Sequence, residues 1–211
     1  MVTTMKTNRV YKILIAFGTA IGFTLPAYAE NGSIEAFGGN ANTTLDAKLS
    51  FPLTEKTGFF LRERVDAGYD ASVGSFTLVD FVYTLPAGFT LLVEGQAYSH
   101  SGIVSRFGAD YFSKAGNFKS YSAVTIKATE EPNAELTMRL TYSPKVSENL
   151  QLFSQIEAIG DMGLNGHQWS TERLRLGIER DAYRAGVGAD LSQTKTLLDG
   201  YNVGVFIGKN F

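Results

Sequence analysis

The chain has 211 residues, of which 44% are hydrophobic and 12% aromatic, with 19 Lys and Arg, 21 Asp and Glu, and no Cys. The lack of cysteine excludes a disulfide framework. The slightly acidic charge balance argues against nucleic acid as a partner, because proteins that bind nucleic acid favour a basic surface.

The first 29 residues have the layout of a secretory signal peptide. Three basic residues precede the uncharged apolar run 13–25, and the small residues of AYA (27–29) follow it. This order is typical of a cleaved leader, and the run is shorter than the about 20 apolar residues of a membrane-spanning helix. We therefore predict a signal peptide over 1–29 and a single domain over 30–211, whose formal charge is 16 − 21 = −5.

After residue 30, apolar and polar residues alternate in about a dozen segments, separated by turn residues such as PAG (86–88) and KAGN (114–117). A period of two predicts half-buried β-strands. Most of these segments are close to the about 9–11 residues with which a tilted strand crosses a bilayer. The predicted strands are 33–38, 43–53, 57–68, 74–85, 88–98, 104–113, 118–129, 135–143, 149–158, 169–180, 182–191 and 201–211.

Each segment has one apolar and one polar face. In segment 169–180, for example, Leu174 and Leu176 oppose Arg173 and Arg175. A soluble barrel or sandwich would bury the apolar face, whereas a transmembrane barrel turns that face to lipid and the polar face to its lumen.

Three observations favour the transmembrane barrel. The predicted leader directs the chain out of the cytoplasm. Phe211, on the apolar face of the last segment, resembles the C-terminal signature of bacterial outer-membrane barrels. Finally, the connections after odd-numbered strands, such as 160–169 and 192–200, are generally longer than those after even-numbered strands, as a barrel with periplasmic termini requires.

We therefore predict an all-β, antiparallel transmembrane barrel of about 12 strands, with 10 as the alternative, closed by the C-terminal strand in the bacterial outer membrane. The expected partners are outer-membrane lipid, small polar solutes and, through the C-terminal strand, the barrel-assembly machinery. Two residues oppose this assignment, since Lys209 and Glu63 fall on the predicted lipid face. A lysine near the interface can extend its charged end to water, and a β-bulge at Glu63 would restore the pattern. Trp169 is predicted in an interfacial aromatic girdle, with an ordinary packed aromatic as the alternative.

The polar faces bring nearly equal numbers of cations and anions to the lumen. We expect Arg173, Arg175 and Arg184 to bind anions, because arginine binds carboxylates bidentately and stays charged. The alternative is that each pairs with an interior carboxylate, such as Glu179 or Asp190. The predicted lumen and selectivity residues are Arg173, Arg175, Arg184, Arg139, Arg62, Arg64, Arg106, Lys48, Glu94, Asp110, Glu179 and Asp190.

Two arrangements of these charges are open. They either pair across strands and fill a closed barrel, or segregate to different walls of a water-filled pore. About eight strands leave an interior that side chains fill and about sixteen leave an open channel, so a dozen strands allow both, and a narrow channel is slightly favoured.

The leader, the 182 remaining residues (211 − 29), the short strands, the charged lumen and Phe211 together resemble a small Gram-negative outer-membrane channel. The layout is similar to that of the twelve-stranded oligogalacturonate-specific porin family, without a diagnostic motif. That family takes up acidic oligosaccharides past lumenal arginines. The resemblance implies passive passage of small hydrophilic, anionic solutes through a narrow charged lumen.

The main alternative is a non-conducting structural or adhesive barrel, and a soluble periplasmic β-barrel is a weaker one. An outer-membrane lipid hydrolase is also disfavoured. A hydroxyl nucleophile needs its base within hydrogen-bond reach, and neither His100 nor His167 has the His-x-Ser spacing typical of such hydrolases. The loop GDMGLNG (160–166) lacks the carboxylates of a calcium loop. No enzyme activity, cofactor or metal site is predicted.

Overall fold

The computed structural model describes residues 31–99, 102–129, 131–195 and 197–211. The predicted signal peptide, 1–29, lies outside these residues. The described strands are β1 Asn31–Gly39, β2 Asn42–Pro52, β3 Thr57–Gly68, β4 Val73–Thr84, β5 Phe89–Tyr98, β6 Gly102–Ala115, β7 Phe118–Lys127, β8 Ala134–Tyr142, β9 Leu150–Gly163, β10 Gly166–Arg180, β11 Tyr183–Thr194 and β12 Leu197–Asn210. Among the described residues, no helix is long and apolar enough to cross a membrane.

Each strand pairs antiparallel with its neighbours along the chain, and β1 pairs with β12, so the sheet closes into a barrel. The closing register sets Phe37 opposite Phe206. Just after β12, the backbone of Phe211 exchanges two hydrogen bonds with Gly32, of 2.8 and 3.0 Å. The predicted all-β antiparallel barrel, with twelve strands and closure by the last strand, is confirmed.

The hairpin of β9 and β10 is longer than predicted. The strands end and restart at Gly163 and Gly166, so residues 164–165 form a tight turn where the sequence predicted the loop 160–169. The prediction failed because this part of the hairpin carries polar residues and glycines on both faces, and the alternation of apolar and polar residues fades there although the ladder continues.

The same correction applies to the predicted loop 192–200, into which β11 and β12 both extend. The longest connection, 143–149, follows an even-numbered strand, β8. The prediction that connections after odd-numbered strands are the longer ones is therefore wrong, and connection length carries no argument about orientation.

The barrel is polar inside and apolar outside. Arg62, Glu94 and Glu157 are buried on inward faces, whereas Val93 and Val205 are more than half exposed on outward faces. A β-protein folded in water shows the reverse arrangement. The distribution is that of a transmembrane barrel, which exposes apolar side chains to lipid.

Both residues that opposed the assignment do lie on the outward face. Lys209 Nζ sits 5.2 Å from the ring centroid of Tyr183. Glu63 accepts a hydrogen bond of 2.5 Å from Thr77 Oγ1 on β4. The register of β3 continues through Glu63 on both sides, so the anticipated bulge is absent there.

Candidate functional site in the barrel lumen

An ion-pair bridge crosses the lumen. Arg62 on β3 and Glu157 on β9 lie on opposite sides of the barrel, and Arg62 Nη2 is 3.0 Å from Glu157 Oε1. Glu157 also pairs with Arg173 at 2.6 Å and Lys48 at 3.4 Å, while Arg139 comes within 3.9 Å. One buried carboxylate thus gathers four cations from four strands.

The side of the bridge that contains β10, β11, β12 and β1 is filled. Phe37, Phe153 and Phe206 form a buried apolar cluster inside the barrel. The guanidinium carbons of Arg175 and Arg184 lie over two of these rings, 4.1 Å from the centroid of Phe37 and 5.1 Å from that of Phe153. Stacking of arginine on aromatic faces is favourable when the cation is desolvated.

Carboxylates neutralise the two arginines of this filled side. Glu35 accepts from Arg175 Nε at 2.9 Å and pairs with Arg184 Nη2 at 3.2 Å. Asp190 accepts a second bond from Arg175 Nη1, of 2.6 Å. Gly188 makes room for this contact, since a Cβ there would lie 2.8 Å from Arg175 Cδ.

The lumen also holds an open cavity of about 1080 Å³, which is lined mainly by β2 to β8 and additionally by Trp169 of β10, Ser192 of β11 and Asn202 of β12. Its lining includes Lys56 and Thr84 at the end of the barrel where the chain termini lie, and Asn42 and Tyr98 at the opposite end. The cavity therefore runs along the barrel from one end to the other. We call it the passage. A continuous, charged and water-accessible lumen can conduct ions and polar solutes.

The two walls of the passage differ in charge. One side, the basic wall, carries Lys48, Arg62, Arg64 and Arg173 together with the carboxylates Asp66, Glu157 and Asp190, and Arg139 reaches it from β8. The other side, the acidic wall, carries one carboxylate from each of β4, β5, β6 and β8, which are Asp80, Glu94, Asp110 and Glu135. Charges of opposite sign thus face each other across it.

The three arginines expected to bind anions do lie on the inner face, but they are not free. Arg173 pairs with Glu157, and Arg175 and Arg184 share Glu35. This is the alternative arrangement: Asp190, one of the two anticipated carboxylates, pairs with Arg175 at 2.6 Å, and Glu157 and Glu35 are the partners that were not anticipated.

Of the two anticipated partners, Asp190 also binds Arg64, at 3.4 Å. Glu179 instead accepts a bond of 3.4 Å from Asn210 Nδ2. Arg106 is buried and lies 3.7 Å from Glu94 and 3.6 Å from Asp161. Asp110 lines the passage.

Several central residues were not singled out from the sequence. Alternation places Glu157 inside, but its role depends on partners from strands far away in the chain. Glu35 lies on the short first strand, whose faces the pattern barely defines. The sequence predicts a loop at Asp161, but this residue lies on β9. Trp169 lines the passage, so the prediction that it belongs to a lipid-facing girdle is wrong.

Little in the described chain indicates catalysis. His167 Nδ1 contacts the backbone oxygen of Lys195, and His100 lies outside the described residues. No group of three or more His, Asp or Glu side chains placed to hold a metal ion is found in the part of the chain that the structure describes.

The fold is that of a small porin barrel. No protein-family model and no curated protein matches the sequence. Among solved structures, a KdgM porin in complex with disordered oligogalacturonate is 10% identical with a TM-score of 0.51, covering 86% of this chain and 98% of that chain. A NanC porin in a rhombohedral crystal form is 10% identical with a TM-score of 0.53 and the same coverage. The predicted resemblance in layout to the twelve-stranded oligogalacturonate-specific porins is confirmed, and at this identity it concerns the fold alone.

Proposed function

We propose that this protein is a porin-like channel of the bacterial outer membrane, through which small hydrophilic solutes diffuse passively. The observation that carries the proposal is the passage, which reaches both ends of the barrel and is lined by charged side chains. A barrel with a purely structural role has no need of a cavity that reaches both of its ends.

The outward surface supports insertion into lipid. Phe59 and Phe81 form an edge-to-face pair at 5.5 Å on the half of the barrel nearer the chain termini. Further outward pairs on this half are Phe89 with Tyr111 and Phe118 with Tyr142. Aromatic girdles of this kind sit at the membrane–water interfaces of outer-membrane barrels.

The proposal covers polar solutes in general. The sequence also predicts a preference for anions, and the basic wall of the passage supports it. The pairing of Arg173, Arg175 and Arg184 with carboxylates speaks against it, because a neutralised guanidinium attracts an anionic solute weakly.

Swelling of vesicles tests the proposal. Purified protein in phospholipid vesicles is expected to let arabinose enter, so that vesicles placed in isotonic arabinose swell. Ala123→Trp puts a bulky ring on a buried wall position of the passage and should slow swelling. Ala185→Trp puts the same ring on the outward face of β11 and should leave the rate unchanged. Inserted barrels that never admit arabinose would contradict the channel.

A further inference from the structure

The acidic wall of the passage is a connected group of side chains. Asp80 and Glu94 are directly opposite partners on β4 and β5. Gln96 Nε2 donates to Glu94 Oε1 at 2.8 Å and to Glu135 Oε1 at 3.1 Å, and so holds these two carboxylates side by side. Asp110 lines the same cavity one strand further on.

Few cations serve this wall. Among the described residues, Asp80, Asp110 and Glu135 make no ion pair, and Glu94 has only Arg106, at 3.7 Å. The guanidinium of Arg106 is shared with other partners, because it also lies 3.6 Å from Asp161 and donates to Thr125 Oγ1 at 2.8 Å. The carboxylates therefore outnumber the cations that reach them.

Asp80 gives independent evidence that this wall lacks a cation or hydrogen-bond donor among the described residues. Its side chain is 5% exposed and lines the passage, yet its Oδ1 has no hydrogen-bond partner in the described part of the chain. A buried polar atom without a partner is costly. A cation that arrives through the passage would give this oxygen a partner.

The basic wall attracts anions less strongly than the acidic wall attracts cations, because its arginines are already paired. Arg62 donates two bonds to Asp46, of 3.0 and 2.6 Å, besides its pair with Glu157. Arg64 makes three contacts with Asp66, the shortest of 2.9 Å. Arg139 lies 3.9 Å from Glu157, and Arg173 pairs with Glu157 at 2.6 Å although its Nε has no hydrogen-bond partner among the described residues. Every cation of the basic wall thus has an ion-pair partner, whereas Asp80, Asp110 and Glu135 have none among the described residues.

We propose that the acidic wall makes the passage selective for cationic groups, so that its solutes carry an ammonium group, which Asp80, Glu94 and Glu135 attract. This inference rests on the proposed channel function and names its substrate class. Carboxylate rings are a common device of cation-selective pores.

Reversal potentials across a planar bilayer test the inference, with a gradient of KCl or of methylammonium chloride. The unmodified protein should favour the cation over chloride in both salts. The triple variant Asp80→Asn, Glu94→Gln, Glu135→Gln should lose this preference, so that the reversal potential moves to or beyond zero. The matched control Glu131→Gln, Glu148→Gln, Asp181→Asn removes three exposed carboxylates away from the passage and should keep it.

The outcomes separate the two proposals. Conductance with an anion preference, or a cation preference that survives the triple change, overturns the acidic-wall inference and leaves the channel standing. Absence of any conductance overturns the channel itself. Should the triple variant not fold, Asp80→Asn alone decides, because its Oδ1 makes no bond to lose, and an unchanged reversal potential there counts against the inference.

Discussion

Arg62 and Glu157 meet across the full width of the barrel, joining β3 to β9 through a contact of 3.0 Å between Nη2 and Oε1. On one side, aromatic and arginine side chains pack the interior, and on the other a charged passage remains. The barrel thus combines the two arrangements that its sequence left open.

Glu157→Gln should destabilise the barrel strongly. Glu157 is 3% exposed, and its loss leaves Arg62, Arg173 and Lys48 with too little negative charge in the interior. Removing one partner of a buried ion pair costs about 3–5 kcal/mol. Urea unfolding in lipid vesicles measures the change in free energy of unfolding, and Glu148→Gln, on an exposed connection, is the control. Equal stability of the two variants would show that Glu157 does not stabilise the barrel through its ion pairs with these cations.

Removing both ends of the bridge should widen the conducting path. The double variant Arg62→Gln, Glu157→Gln keeps the net charge and lets water pass from the open to the filled side, so we expect a larger single-channel conductance. The control changes the exposed pair Arg180 and Asp181, whose side chains are 71% and 62% exposed, to Gln and Asn. An unchanged step size in the bridge variant would mean that the bridge does not limit the passage.

Val205→Arg should hinder insertion into lipid. Val205 is 62% exposed in the middle of the outward face of β12, and an arginine near the bilayer midplane costs roughly 2–4 kcal/mol. Val146→Arg is the matched control, since Val146 is 58% exposed on the connection between β8 and β9. The free energy of folding into vesicles is measured for both. If both substitutions are neutral, the outward face does not meet lipid.

The fluorescence of Trp169 should report the lumen. It is the single tryptophan of the sequence and lines the passage. Acrylamide dissolved in water should therefore quench it, and brominated acyl chains should not. The variant Trp169→Phe, Tyr201→Trp moves the indole to the outward face of β12 and should reverse both results. Quenching of Trp169 by brominated lipid would restore the girdle assignment.

The period of two was sufficient to predict the strands, because most inward side chains have outward neighbours of opposite character. The pattern fails where lipid no longer demands apolar residues, which is why it predicts loops at 160–169 and 192–200, into which β9, β10, β11 and β12 extend. Side-chain partners were less accessible to sequence reasoning. Arg62 and Glu157 are 95 residues apart, and Arg175 and Glu35 are 140 apart, so only the closed barrel brings them together.

Single-channel recording of the purified chain in a planar bilayer tests the central claim most directly. We expect discrete conductance steps that grow with salt concentration, are reduced by Ala123→Trp in the passage and are unaffected by Ala185→Trp on the outward face. Protein that inserts as a folded barrel yet gives no steps would contradict the account, because it would mean that the lumen is closed.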